Sequence, residues 1–306
     1  MFRRLSLLAS VLLLLAPGVA SAAACCMSAS VVGVGRLKIW EDGAGGLTTG
    51  WSHGTGRWSS TGTFKPFSAG LLEDELRVEA WAMVRLHEAW QLSARVPWVV
   101  GIRAAGETSS VGTGPGDVGA AIRWEPVPIG AWENLPGIAF SLGVTGPTGR
   151  RPEQATDALG ASSTGRGVWS ASLAVALEYA WLPWFVRLDA GFVYNAPFLR
   201  TDLGVWQTFG PGVQAAFSGG RELFGDKLVL AGSLRFEHEF PLTLYGQTVA
   251  QSDINALSLA LSAAWNLTPH WTATLALSSD VLGRLGVGMN REERWGATLG
   301  VRHGFF

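Results

Sequence analysis

The sequence is poor in charged residues, in cysteine and in long apolar runs, and each shortage excludes a class of protein. Charged residues make up 15% of the chain, and 23 basic residues nearly balance 24 acidic ones. No basic excess is therefore available for a nucleic-acid partner. The only two cysteines, Cys25 and Cys26, are adjacent, so they cannot form a disulfide that links distant parts of a fold. After the N-terminal segment no apolar run reaches about 18 residues, which excludes a transmembrane helix.

The first 22 residues predict a secretory signal peptide. Arg3 and Arg4 form a basic start, the apolar run Leu5–Ala16 follows, and Ala20-Ser21-Ala22 fits the small-residue cleavage rule. The alternative, a membrane anchor, is disfavoured because a run of roughly a dozen residues is shorter than the 20 or so that span a bilayer. We therefore expect residues 23–306 to form the mature, exported domain. Two possibilities then remain for Cys25: it is attached to lipid, or its thiol is free or forms an intermolecular bond.

Strict alternation of apolar and polar residues is the dominant pattern of the remaining chain. From Leu76 to Leu86 the even positions are apolar, whereas the odd positions include Arg77, Glu79 and Arg85. A period of two places these sets on opposite faces of a β-strand. The pattern returns along the chain, and eleven strands can be counted from about Leu71 onward.

Several features of these strands favour a membrane barrel over a soluble sandwich. The apolar stripes end in tryptophan or tyrosine, and the opposite face is small or charged. Short turns alternate with long polar connections such as Ala104–Gly116, and a moderate link is expected near Ser218–Asp226. This is the layout of a lipid-facing band, aromatic girdles and a polar lumen. We predict an all-β fold, a transmembrane antiparallel up-and-down β-barrel of about 12 strands in the outer membrane of a bacterium. An even strand number requires a first strand within residues 28–58, for which we choose Gly33–Glu41, with Leu47–Trp51 as the alternative.

The same alternation assigns two sets of side chains to positions in the barrel, one to the lumen and one to the membrane interface. Because a basic residue on the lipid face at mid-bilayer costs about 2–4 kcal/mol, the charged phase is expected to face the lumen. The predicted lumen-facing residues are Arg77, Glu79, Arg85, Arg95, Asp117, Arg123, Glu125, Arg187, Asp189, Lys227, Arg235 and Glu237. The predicted membrane-interface aromatics are Trp90, Trp98, Trp124, Trp169, Tyr179, Trp184, Tyr194, Trp265, Trp271 and Trp295.

Short motifs in this framework resemble a known family. A strand ending in Val96-Pro97-Trp98 is followed by Gly114-Pro115-Gly116-Asp117-Val118-Gly119, and then by Ser141–Gly149 with its Pro-Thr-Gly end. This order resembles the outer-membrane family named for the meta-pathway of phenol degradation, over roughly Glu73–Phe306. Tryptophan after the proline departs from the more usual tyrosine or phenylalanine. The resemblance implies a transporter-type barrel that passes small hydrophobic or aromatic compounds.

The search for catalytic or metal chemistry finds little. The five histidines are scattered, without carboxylates at ligand spacing, and no G-x-S-x-G element is present. Ser233 and His238 fall on opposite phases of one strand, which argues against a nucleophile–base pair. We therefore predict no enzyme activity, no cofactor and no metal, and keep an outer-membrane hydrolase as the least favoured hypothesis.

Two other hypotheses remain from the sequence. The first is a channel or transporter for small compounds, and the second is a non-transporting structural or adhesive barrel. A lumen filled by paired charges and an open pore are equally compatible with the pattern. The long connection Gly146–Gly167 either folds over the mouth or is a plain surface loop. The expected partners are outer-membrane lipid, an unidentified small molecule, and the barrel-assembly machinery through the C-terminal strand that ends at Phe306.

Overall fold

A computed structural model describes residues 35–132 and 134–306. The predicted signal peptide and the Cys25-Cys26 pair lie outside the described residues. Two short 3₁₀ helices, Pro152–Gln154 and Val281–Leu285, accompany the β-strands. The strands in chain order are β1 (Gly43–Trp58), β2 (Phe64–Pro66), β3 (Leu71–His87), β4 (Trp90–Ala105), β5 (Thr108–Pro115), β6 (Gly119–Val127), β7 (Gly137–Thr145), β8 (Ser170–Trp181), β9 (Trp184–Asn195), β10 (Phe198–Arg200), β11 (Val205–Thr208), β12 (Gly212–Leu223), β13 (Leu228–Glu239), β14 (Thr243–Leu244), β15 (Gln247–Thr248), β16 (Ile254–Asn266), β17 (Trp271–Ser279) and β18 (Glu292–Phe305).

The long strands form one closed antiparallel barrel. Around the barrel they follow the order β1, β3, β4, β6, β7, β8, β9, β12, β13, β16, β17 and β18, and β18 pairs back onto β1 from Gly43↔Phe305 to Arg57↔Glu292. Strand β5 pairs with the outer part of β4, so β5 and β6 act as one barrel strand interrupted at residues 116–118. The predicted twelve-stranded up-and-down barrel is confirmed.

The two ends of the barrel differ in the length of their connections. Residues 88–89, 182–183, 224–227 and 267–270 make tight links at one end, which we call the short-turn end. The segments 146–169, 196–211, 240–253 and 280–291 join strands at the other end, the long-loop end. There β10, β11, β14 and β15 form a separate small four-stranded sheet.

The two faces of the barrel differ in chemistry as alternation requires. Outward side chains such as Leu173, Leu261 and Leu299 are more than half exposed, whereas inward Arg123 and Arg187 are buried. A single-layer sheet with an exposed apolar outside and a polar inside is stable when lipid covers the outside, because a closed sheet satisfies every backbone group internally. Among the described residues no helix is both long and apolar enough to cross a bilayer.

Three sequence predictions differ from the structure. The first strand is Gly43–Trp58, which contains the alternative Leu47–Trp51, whereas residues 35–41 of the preferred Gly33–Glu41 form no strand. The predicted long connection Ala104–Gly116 is instead a β4–β5 hairpin turning at Gly106 and Glu107. The link predicted at Ser218–Asp226 is shorter, because β12 continues to Leu223.

Candidate functional site

A segment that precedes the first strand crosses the lumen at the short-turn end. We call residues 36–42 the plug segment. The Leu37 N–H donates to Gln91 Oε1 on β4 over 3.0 Å, and Arg85 on β3 donates to the carbonyls of Lys38 and Glu41. Arg36 contacts β6 and β8, and Glu41 contacts β18. Contacts with five strands around the barrel place the segment inside the lumen.

Apolar packing and one ion pair hold the two ends of the plug segment. Leu37 is 1% exposed and packs against Ala44 and Met83, with Trp81 beside them. At the other end Glu41, which is fully buried, accepts a charged hydrogen bond from Arg302 on β18 over 2.7 Å. Removing either partner of such a pair leaves an uncompensated buried charge, which costs about 3–5 kcal/mol. The plug segment is thus a specific part of the folded barrel.

Arg36 also completes a buried charge cluster. The cluster consists of three arginines and three carboxylates, so its formal charges balance: Arg36, Arg123, Arg187, Glu125, Glu178 and Asp189.

Glu178 lies at the centre of this cluster. Its carboxylate lies 2.8 Å from Arg123 Nη2, 3.0 Å from Arg187 Nη1 and 3.4 Å from Arg36 Nη1. Arg187 also forms a bidentate pair with Asp189, both contacts being 2.6 Å. Since every charge has a partner of the opposite sign, the cluster closes this end of the lumen without a buried net charge.

A cavity of about 720 Å³ lies beside this closure and extends toward the long-loop end. Arg77, Arg95, Asp117, Arg235 and Glu237 from the predicted lumen-facing set line it. Arg77 is 3.3 Å from Glu75, and Arg235 is 2.6 Å from Glu237. The lining is therefore polar and partly neutralised by neighbouring pairs along the strands.

The connection between β7 and β8 folds inward over this cavity. Its residues Ala161 and Ser162 are buried against Gly101 and Gly112 on the inner wall of the β4–β5 hairpin. A Cβ atom at Gly112 would lie 2.2 Å from the Ser162 backbone, so only glycine permits this approach. Of the two readings of Gly146–Gly167, the structure shows the inward-folded one.

Two aspartates hold that connection in shape. Asp117, at the interruption between β5 and β6, accepts hydrogen bonds from the backbone N–H groups of Gly149 (2.8 Å), Arg166 (2.7 Å) and Gly167 (3.1 Å). Asp157 accepts backbone hydrogen bonds from Ala161 and Ser162, both 2.7 Å. Hydrogen bonding from Ser162, its side chain first, holds the pKa of Asp157 well below its usual range.

Ten of the twelve predicted lumen-facing residues thus divide between three places. Arg123, Glu125, Arg187 and Asp189 lie in the buried cluster, Arg85 holds the plug segment, and five others line the cavity. Glu79 is half-buried on β3. Lys227 does not belong with them, because it lies exposed in the turn before β13.

Four residues of the closure were missing from the predicted set. Glu178 and Arg302 are on the polar phase of their strands, so the same alternation that selected Arg123 could have found them. Arg36 and Glu41 were assigned to a strand, and no local pattern indicates that they enter the lumen.

The other predicted residues are placed as follows. Nine of the ten predicted interface aromatics are exposed, and Tyr179 is half-buried; that they lie at the lipid boundary stays a prediction. His238 Nδ1 contacts Asn255 Oδ1 at 2.6 Å, and Ser233 stands opposite Ser218 and Ala260. Within residues 35–132 and 134–306 no group of three potential metal ligands is found.

Comparison with solved structures finds similar folds among outer-membrane barrels. The COG4313 outer membrane channel from Pseudomonas putida F1 matches with a TM-score of 0.70 and 14% identity, over 88% of this chain and 97% of that one. The NanC porin matches with a TM-score of 0.51 and 8% identity, over 85% of this chain and 98% of that one. No family model and no curated protein matches the sequence. The chain has the fold of an outer-membrane β-barrel of the channel and porin type.

Proposed function

We propose that the protein is an outer-membrane channel for small molecules, closed at its short-turn end by the plug segment. The observation that carries the proposal is the combination of a 720 Å³ polar cavity with a closure made by seven residues at the start of the described chain. Short turns of outer-membrane barrels face the periplasm, so the closure lies on the periplasmic side and the cavity faces outward.

The plug segment is suited to move because it belongs to no strand. It is attached to the barrel wall by side chains and by a few backbone contacts, whereas each strand is held by two ladders of backbone hydrogen bonds. Its departure would remove Arg36 from the cluster, leaving two arginines with three carboxylates, and would free Arg302 from Glu41. These unpaired charges favour the closed state.

The proposal also concerns the class of compound that passes through the channel. Resemblance to the meta-pathway family suggests small hydrophobic or aromatic compounds, and membership of that family stays a prediction. The polar lining of the cavity is better matched to compounds that also carry a polar or charged group. The absence of enzyme activity is proposed on the same grounds, since the solved structures of similar fold are described as a channel and a porin.

Conductance in planar bilayers tests the proposal. We expect small conductance for the wild type and a severalfold increase when Arg36→Gln and Glu41→Gln are combined, since the ion pairs of the plug segment with the barrel wall are then lost. Arg200→Gln is the matched control, because it removes an arginine–aspartate pair with Asp202 at the long-loop end.

The alternative is a barrel that transports nothing. It would be favoured if the wild type and the double variant both failed to conduct and both failed to admit small solutes into liposomes. Hydrolysis of a model ester that is lost in Ser233→Ala would instead support the hydrolase hypothesis.

A further inference from the structure

One arginine in the cavity has no partner. Every other arginine in residues 35–132 and 134–306 has an ion pair, a hydrogen bond or a ring contact, whereas Arg95 on β4 has none. The neighbouring strand carries Glu79, but it stands opposite Pro97, two positions along from Arg95, and makes no ion pair with it. A guanidinium stays charged in any folded protein, so Arg95 presents an uncompensated positive charge to the cavity.

The cavity as a whole carries the same sign. Six arginines and four carboxylates line it, a formal excess of two positive charges. One of the four carboxylates, Asp117, is already occupied by three backbone N–H donors. A concave site with such an excess attracts anions and concentrates them near the unpaired guanidinium.

The wall beside Arg95 is shaped to receive a ligand. One row of cross-strand neighbours runs Arg95, Gly119, Thr145, Ser170 and Asn195, and all five line the cavity. A Cβ atom at Gly119 would lie 2.9 Å from Arg95 Nε, so the glycine gives the guanidinium its place along the wall. Neighbouring strands lie about 4.8 Å apart, so the Arg95 side chain, which lies over Gly119, extends toward Thr145 on the next strand.

Hydroxyl groups on the next two strands of this row are also available. The side chains of Thr145 and Ser170 are not engaged in hydrogen bonds with the described residues. The Asn195 amide is used in part, because its Nδ2 donates to the Gly210 carbonyl over 2.9 Å. A planar guanidinium opposite two free hydroxyls matches a carboxylate attached to a small body that accepts or donates hydrogen bonds.

We infer that the cavity binds small organic carboxylates, with Arg95 as the anchor for the carboxylate and the row through Thr145 and Ser170 holding the rest of the molecule. The inference rests on the proposed channel function, because it specifies which solutes the channel selects. An aromatic acid fits both observations, since its ring matches the aromatic compounds that the family resemblance suggests and its carboxylate matches the polar lining of the cavity.

Equilibrium binding to the purified full-length protein in detergent tests this inference. Benzoate and its neutral analogue benzamide are the probes, measured by titration calorimetry. We expect benzoate to bind and benzamide to bind at least about tenfold more weakly. Arg95→Gln should weaken benzoate binding by about ten- to a hundredfold and leave benzamide unchanged, and Arg95→Lys should retain part of the affinity.

The control variant is Arg200→Gln, which removes an arginine that pairs with Asp202 and is not among the residues that line the cavity. It should bind benzoate as the wild type does. Equal binding of the two probes, no benzoate binding by the wild type, or unchanged binding by a folded Arg95→Gln would each overturn the inference. Conductance of the plug variant is measured separately, so a channel that conducts but binds no benzoate contradicts only the carboxylate site.

Discussion

Asp117 shows how a single side chain can organise a whole connection. It stands where β5 gives way to β6 and accepts three backbone N–H groups from both ends of segment 146–169. The sequence assigned Asp117 to the polar phase of a strand, whereas it lies in the interruption between β5 and β6. Its partners could not be predicted, because they lie 32 to 50 residues away in an irregular segment.

We expect Asp117→Ala to loosen that connection without unfolding the barrel. Three charge-assisted hydrogen bonds are lost, and the local opening free energy should fall by roughly 1–3 kcal/mol. Hydrogen exchange at Gly149, Arg166 and Gly167 should accelerate accordingly. Glu107→Ala is the control, since Glu107 is an exposed acid at the tip of the β4–β5 hairpin. Unchanged exchange in the Asp117 variant would contradict this role.

Asp157 leads to a prediction about pH. Because its folded pKa is lowered, its contribution to the 157–162 turn is present above the unfolded pKa of about 3.9 and is lost only as pH falls through the lower folded value. Exchange at Ala161 and Ser162 should therefore remain slow from pH 7 down to about 4. Asp157→Asn, which keeps the size but loses the charge, should already exchange faster at pH 7. Equal exchange rates in the two proteins at pH 7 would contradict the assignment.

Alternation of apolar and polar residues predicts a strand well where the two faces of that strand meet different environments. Strand β4 alternates Trp90, Leu92 and Ala94 with Gln91, Ser93 and Arg95, and the exposed and inward faces follow that pattern. Residues 36–41 could be taken for such a strand because charged and apolar residues also alternate from Arg36 to Ile39. Their conformation is decided by carboxylates more than 80 residues away, Glu125 and Glu178, which no local period can indicate.

The inward-folded connection 146–169 fits against the barrel wall because the wall has no side chain at Gly112. Gly112→Ala would place a methyl group against the Ser162 backbone and should displace the segment, at a cost of about 1–3 kcal/mol for overpacking. Trypsin should then cleave after Arg150 or Arg166 severalfold faster.

A neighbouring glycine provides the control for this experiment. Gly114→Ala would contact the Thr164 side chain at an ordinary 3.5 Å and should leave the cleavage rate close to that of the wild type. Equal rates for both alanine variants would show that the approach at Gly112 does not hold the segment.

Strand number and closure are properties of the whole molecule that the sequence did predict. Eleven strands read from the alternation and a twelfth required by parity match the closed barrel, although the twelfth strand was placed too early. The contents of the lumen could not be predicted, since a filled and an open barrel have the same alternating strands. The plug segment and the connection 146–169 contact their partners only once the barrel wall has folded and brought those partners together.

A closed barrel of this kind should resist dodecyl sulfate until it is heated. We expect the unheated protein to migrate faster on a gel than the boiled protein, since the barrel stays compact only when its β1–β18 seam is intact. The band shift should accompany fractionation with outer membranes. A soluble product with no shift on heating would overturn the membrane assignment.

The ion pair between Glu41 and Arg302 also fixes the order of events during biogenesis. Its partners are separated by 261 positions, so it cannot form until the final strand has been added next to the first. The seam of the barrel wall and the last contact of the plug segment are therefore completed in the same step. A chain that lacks the last hairpin thus lacks both the seam of the wall and the ion pair that holds one end of the plug segment.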